Sequence, residues 1–148
     1  MGTIEQIFIA AESEGPVHSV EAAAAYAGRG LEGDRNFTPP DRWIPTGCAL
    51  TLIEAEAIEA VDEEHGIDLA GGRSRRQLVT RGVRLNDLVG HEFRIGRVRC
   101  RGVELCEPCL HLQGMIGDPN TIKALVHRGG LRADILESGT IAVGDEVG

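Results

Sequence analysis

Leu105-Cys106-Glu107-Pro108-Cys109-Leu110-His111 is the densest run of chemically capable side chains in this 148-residue chain. Two thiols and an imidazole at this spacing admit three chemistries. A zinc site uses the C-x2-C spacing, with Cys100 or His111 as a further ligand, but a structural zinc ribbon needs a second C-x2-C or an H-x3–5-H pair. The sequence has neither. A thioredoxin-like dithiol sits where a strand runs into a helix. Only Leu110–Gln113 separate Cys109 from Gly114, so no helix is expected there. A single reactive thiolate is the third reading. Pro108 fixes the backbone just before Cys109 and so aims that side chain. A thiolate held this way can bind a soft metal or carry a persulfide sulfur. Against all three stands a buried, inert cysteine, since free Cys is among the most buried residue types.

The arginines supply the surroundings. Fourteen of the fifteen basic residues are Arg, and Lys123 is the only lysine. Two readings compete: a GC-rich genome favours Arg codons, and planar bidentate recognition of anions favours Arg. Three clusters lie beside glycines: Asp34-Arg35 after Gly33, Arg73, Arg75 and Arg76 after Gly71-Gly72, and Arg128 and Arg132 around Gly129-Gly130. Glycine admits close backbone approach, and a nearby guanidinium can clamp phosphate or carboxylate. Together they predict an anion pocket beside the thiol. Asp34 is expected to orient its loop rather than act as a base. His111 is near enough to tune Cys109. His18, His65 and His91 are isolated.

Composition narrows the function classes. The formal net charge of −8 argues against non-specific binding of nucleic acid or anionic membrane. No apolar run reaches the 18 residues of a membrane span. The first ten residues lack a basic secretory n-region, so a cytoplasmic location is expected. Four cysteines without an export signal do not form a disulfide framework. Pyridoxal phosphate is not expected, because it needs a Schiff-base lysine and Lys123 is the sole candidate.

Many short segments must position these groups within one domain over residues 1–148. Strands are expected at Thr3–Ala10, Gly47–Ile53, Gln77–Thr80, Glu92–Ile95 and Arg97–Val103, and Val17–Ala25 is a strand or a loose helical turn. Leu131–Leu136 and Thr140–Val143 read as a hairpin about Ser138-Gly139. The Pro-rich Thr38–Pro45 reads as a loop. The clearest helix starts with a capping box, Thr51 as N-cap and Glu54 reaching back, and ends at Gly66. A second runs Pro119–His127. Some seven or eight strands and two short helices favour a β-barrel or sandwich.

The ordered set Gly30-Leu31-Glu32-Gly33-Asp34-Arg35, Ser74–Val83, Leu88-Val89-Gly90 with Phe93–Gly96, Glu107-Pro108-Cys109, Arg128–Ala133 and Gly144-Asp145-Glu146 resembles the MOSC domain, the C-terminal domain of molybdenum cofactor sulfurases. The resemblance runs from about Ile4 to Val147. It implies a mainly β, MOSC-type barrel of about seven or eight strands with two or three short helices. It also implies one cysteine, here Cys109, that ligates molybdenum of the pterin cofactor or carries persulfide sulfur. Cys106 and His111 would support it. Residues that would hold the cofactor fall on Arg35, Arg76, Gln77 and Arg132, with Gly33 and Asp34 beside them. Gln77 stands where many relatives carry Asn.

Three functions follow from the resemblance and the residues together. The first is a cofactor-binding reductase of N-hydroxylated substrates, fed by an electron-transfer partner. The second is a sulfur carrier loaded on Cys109 by a separate cysteine desulfurase, since the sulfurases' desulfurase domain lies outside the matched region. The third is a non-catalytic anion-binding barrel. A complete reductase site has to be built from one small domain or from a homodimer, because the second barrel of the amidoxime-reducing relatives has no counterpart here.

Overall fold

The computed structural model describes residues 2–39, 42 and 44–148. Strands β1 (Gly2–Ile9), β2 (His18–Val20), β3 (Ala22–Tyr26), β4 (Gly30–Leu31) and β5 (Leu50–Glu54) precede helix α1 (Ala55–His65). Then come β6 (Leu78–Arg81), a 3-10 turn at Leu85–Leu88, β7 (Glu92–Ile95) and β8 (Val98–Leu105). Helices α2 (Leu110–Ile116) and α3 (Thr121–Leu125) lead to β9 (Leu131–Ile135), β10 (Gly139–Ala142) and β11 (Glu146–Val147).

The main sheet runs β11-β7-β8-β9-β5-β6-β1-β2, and β1 also pairs with β11. Seven strands therefore close into a barrel, with β2 as an eighth on its rim. Closure leaves no long unpaired edge. Among the described residues β5–β6 is the one parallel strand pair, and α1 is the crossover a parallel pair requires. A smaller sheet, β10-β3-β4, covers one flank. Alternation along β9 sends Leu131 and Ala133 into the barrel, and a register shift between Ile4 and Gln6 in β1 lets both Ile4 and Ile7 join them, with Leu50, Leu52, Leu78, Phe93 and Ile95. A second apolar layer, Phe8, Ile53, Val61, Val79, Leu112 and Leu125 among them, joins the three helices to the outside of the barrel.

Four expectations change. The hairpin between Leu131–Leu136 and Thr140–Val143 does not form. β9 pairs with β5 and β8, and β10 pairs with β3, because barrel closure satisfies β9 on both edges. Thr51 is not a helix cap. It lies in β5 opposite Arg132, and Glu54 becomes the N-cap of α1 without a side-chain cap bond. The Glu54 carboxylate instead accepts from Leu85 N–H at 3.3 Å. The second helix is shorter than Pro119–His127, and His127 lies beyond its end with φ of 62°. Finally, α2 forms where no helix was expected. Gly114 costs it about 1 kcal/mol, offset by burying Leu112 against the barrel. In the Thr38–Pro45 segment the described residues are irregular, and Pro40, Asp41 and Trp43 lie outside the described residues.

Candidate functional site

One end of the barrel gathers the sequence's chemically capable residues. The C-terminal ends of β1 and β8, the approach to β6 and the starts of β5 and β9 meet there, roofed by α2. They enclose a cavity of about 260 Å³ lined by Arg35, Arg75, Arg76 and Arg132, by Cys106 and Cys109, and by Glu14, Thr51, His111 and Met115 among others. Four guanidiniums face one carboxylate in a protein whose formal charge is −8.

The thiols are held by glycines. Gly130 adopts φ of +114°, and a Cβ there would stand 2.1 Å from the Leu52 carbonyl oxygen. A Cβ on Gly129 would stand 2.4 Å from the Cys106 carbonyl oxygen. No side chain fits either place. The glycine pair thus serves packing of strand on strand, not approach to a ligand. Cys106 N–H donates to the Gly130 carbonyl at 2.7 Å, and Cys106 is 2% exposed. Three residues on, Cys109 is exposed and forms the N-cap of α2. The two thiols therefore line one cavity with opposite accessibility. Cys100 is buried in the barrel, and burial pushes its thiol up to about 12. Cys48 is half-buried outside this cavity.

Arg76 is 9% exposed. Its Nε donates to the Gly129 carbonyl at 2.8 Å, Nη2 to the Cys106 carbonyl at 3.2 Å and Nη1 to the Ser74 carbonyl at 3.4 Å. Among the described residues no carboxylate lies within 4.0 Å of it. Burial lowers its affinity for a proton, the Cys106 thiol opposes that shift, and Arg132 adds to it. Arg75, its neighbour, has φ of +65°. Its Nη1 donates to the Gly15 carbonyl at 2.6 Å. Burial and then the nearby positive charge of Arg35 lower its proton affinity. Among the described residues, the Arg35 side chain has only an ion pair at 3.6 Å with Asp34, and that of Arg132 only one at 4.0 Å with Glu104.

Asp34, Gly33 and Gln77 do not line the cavity. Asp34 Oδ1 accepts from Ala10 N–H at 3.0 Å, and Oδ2 accepts from Asn36 N–H at 3.1 Å and from Gln77 Nε2 at 2.8 Å. Gln77 exchanges hydrogen bonds with Thr51, Oε1 accepting from its N–H at 2.9 Å and the Gln77 N–H donating to Thr51 Oγ1 at 3.0 Å. This buried network fixes the Arg35 loop to the ends of β1 and β5. The extra methylene of Gln77 is accommodated. His111 sits on α2, exposed, with Nε2 3.6 Å from Glu14 Oε1. Arg128 is bound to Glu64 at 2.9 Å on the surface, and Arg73 donates to the Asp68 carbonyl.

The resemblance placed Arg76 among the cofactor residues, but the sequence left open which of Arg75 and Arg76 faces the pocket; both line the cavity. It missed Thr51 and Glu14, which carried no signal beyond their polarity. Among the described residues no group of three His, Cys, Asp or Glu side chains converges to hold a metal, so the zinc reading has no donor set. No helix among them is long and apolar enough to cross a membrane.

Comparison with known proteins agrees with this architecture. A search among curated proteins returned no match. The crystal structure of YuaD from Bacillus subtilis superposes with a TM-score of 0.83 at 14% identity, covering 99% of this chain and 94% of that one. YiiM from Geobacillus stearothermophilus gives 0.72 at 15% identity, over 99% of this chain and 74% of that one. YiiM from Escherichia coli gives 0.70 at 17%, over 99% and 69%. At such identities the likeness establishes the fold alone. The sequence itself matches the model of the MOSC domain over residues 33–148, from the Arg35 loop through both thiols to the last strand, and the chain belongs to the MOSC domain family.

Proposed function

We propose that this barrel binds the molybdenum cofactor, with the Cys109 thiolate as the protein's ligand to molybdenum, and reduces N-hydroxylated substrates. One observation carries the reading: a single exposed thiol shares a cavity with four guanidiniums, of which two have no carboxylate within 4.0 Å among the described residues. The donor set fits the group. A thiolate suits a soft metal centre, and guanidinium forks suit the oxygens of a phosphate. One protein thiolate suffices only if the ligand brings the metal's other donors, as a dithiolene does. The cavity, about 260 Å³, lies just below the roughly 300–1,000 Å³ of small-molecule sites.

When bound, the cofactor supplies two-electron chemistry at its metal, replenished by an external electron donor. The chain's own part is binding and placement. Cys109 presents its sulfur at the N-cap of α2, with Pro108 fixing the approach. The positive charge gathered at the cavity favours the phosphate there. The network of Asp34, Gln77 and Thr51 keeps the Arg35 loop from moving when anion binds. Leu112 and Met115 limit water on the α2 side. Sulfur carriage on Cys109 is the second reading, favoured by the same exposure of that thiol.

The test is expression in a host that makes molybdenum cofactor, anaerobic purification, and metal analysis with intact mass. The proposal expects about one molybdenum per chain, lost in Cys109→Ala. A thiol-sensitive adduct of one sulfur atom on Cys109, with no molybdenum, replaces it with sulfur carriage. Neither signal leaves an anion-binding barrel.

A further inference from the structure

The two adjacent arginines of the cavity differ in what their nitrogens are doing. Each of the three Arg76 nitrogens already donates to a backbone carbonyl, two of them on the segments that carry and brace the thiols. Arg75 spends only Nη1, on Gly15. Among the described residues its Nε and Nη2 have no acceptor, and the side chain of Arg35 donates no hydrogen bond at all. The carboxylate nearest Arg35 already takes three hydrogen bonds from elsewhere. Two underused guanidiniums of like charge thus line one cavity whose single lining carboxylate among the described residues is the exposed Glu14, an arrangement that a further anion would favour. The backbone adds an independent sign. Arg75 holds a left-handed conformation that a large side chain rarely adopts, and such strain persists where the position is over-determined.

From this we infer a division of labour that deepens the proposed function and rests on its site. Arg75 and Arg35 form the subsite that grips a phosphate-type oxyanion. Arg76 is a positioning residue that clamps Cys106 and Gly129 and so holds the thiol segment in place. The anion ligand is therefore the arginine in the strained conformation, not its buried neighbour. Arg132, across the cavity beside Thr51, completes the rim.

The experiment uses the cofactor-free full chain and inorganic phosphate at constant ionic strength, so it does not depend on molybdenum. Phosphate binding is read by calorimetry, and backbone order by amide hydrogen exchange. Wild type is expected to bind phosphate. Arg75→Gly, which relieves the strained backbone while removing the guanidinium, should bind roughly ten- to a hundredfold more weakly without faster exchange at Cys106–Leu110. Arg75→Gln should weaken it similarly with the strain retained. Arg76→Lys keeps a charge but cannot fork between two carbonyls. It should speed exchange at Cys106–Leu110 relative to β7 and β8 and leave phosphate affinity within a few-fold. The inference is overturned if wild type binds no phosphate, if either Arg75 variant binds it as wild type does, or if Arg76→Lys loses binding as fully as they do. Loss of molybdenum binding with phosphate binding intact would strike the proposed function and spare the subsite.

Discussion

Arginines in two regions of this barrel live in opposite surroundings. On the outer wall, Arg81 lies between Glu5 and Glu59, with contacts of 2.9 and 2.7 Å, and Arg99 bridges Glu92 and Glu137. Those side chains are exposed, and their carboxylate neighbours push both guanidiniums up. At the thiol end, Arg75 and Arg76 have no carboxylate within 4.0 Å among the described residues, and burial pushes both down. Acids outnumber bases by twenty-three to fifteen in this chain, yet these two half-buried or buried arginines of the cavity take no carboxylate partner among the described residues. The difference separates cations that solvate a surface from cations kept for an anion that the protein does not itself supply.

That contrast can be broken most forcefully at Arg76. Arg76→Met removes the donor from three carbonyls at once, each bond to a charged group being worth about 1.5–3 kcal/mol. Relief of the buried charge offsets part of this. A net loss of about 2 kcal/mol is expected in urea unfolding, and a variant more stable than wild type would show that the buried charge, not the clamp, dominates there.

Acid sharpens the contrast next. Hydrogen bonds from Arg81 and from Arg128 hold Glu59 and Glu64 below the ordinary carboxylate value of 4.5. Such groups add stability that is complete above 4.5 and is lost as pH falls through their lower folded values. Glu54 acts in the other direction. Burial raises it, so the stability it contributes is present at and below 4.5 and fades as pH rises through its folded value. Unfolding midpoints measured between about pH 3 and pH 6 should therefore gain from Glu54→Gln mainly at the upper end. An equal gain at both ends contradicts the assignment.

Smallest is the effect on the outer wall itself. Arg81→Ala should lower stability slightly, and less so in high salt, because exposed pairs are screened. Phosphate affinity should not change. A change in phosphate affinity there would mean that the protein's overall field, rather than the cavity, binds the anion.

Much of this was legible in the residues. Glu92–Ile95 reads as a strand from alternation alone, and Gly66 closes α1 with φ of 66° as a left-handed cap. Cys109 and Arg132 follow from residue type and local setting. Three features did not, for physical reasons. The partners of β9 are set by barrel closure over dozens of residues, while Ser138-Gly139 offers a local hairpin that closure overrides. α2 runs through a glycine that lowers its intrinsic propensity, and tertiary burial of Leu112 supplies what the local sequence lacks. Arg75 and Arg76 are adjacent and chemically alike, so only the path of the backbone assigns their tasks. The glycine pair Gly129-Gly130 points correctly to close approach, but what approaches is strand and thiol loop.

The central claim is that Cys109 and the guanidiniums act on one bound molecule. Iodoacetamide labelling of native protein, read by mass spectrometry with and without bound molybdenum cofactor, tests it directly. Without cofactor, Cys109 should be labelled first, and the buried Cys106 and Cys100 last. With cofactor, labelling of Cys109 should slow by at least about tenfold while Cys48, outside the cavity, reacts as before. Protein that retains molybdenum yet alkylates at Cys109 at its cofactor-free rate would contradict the account.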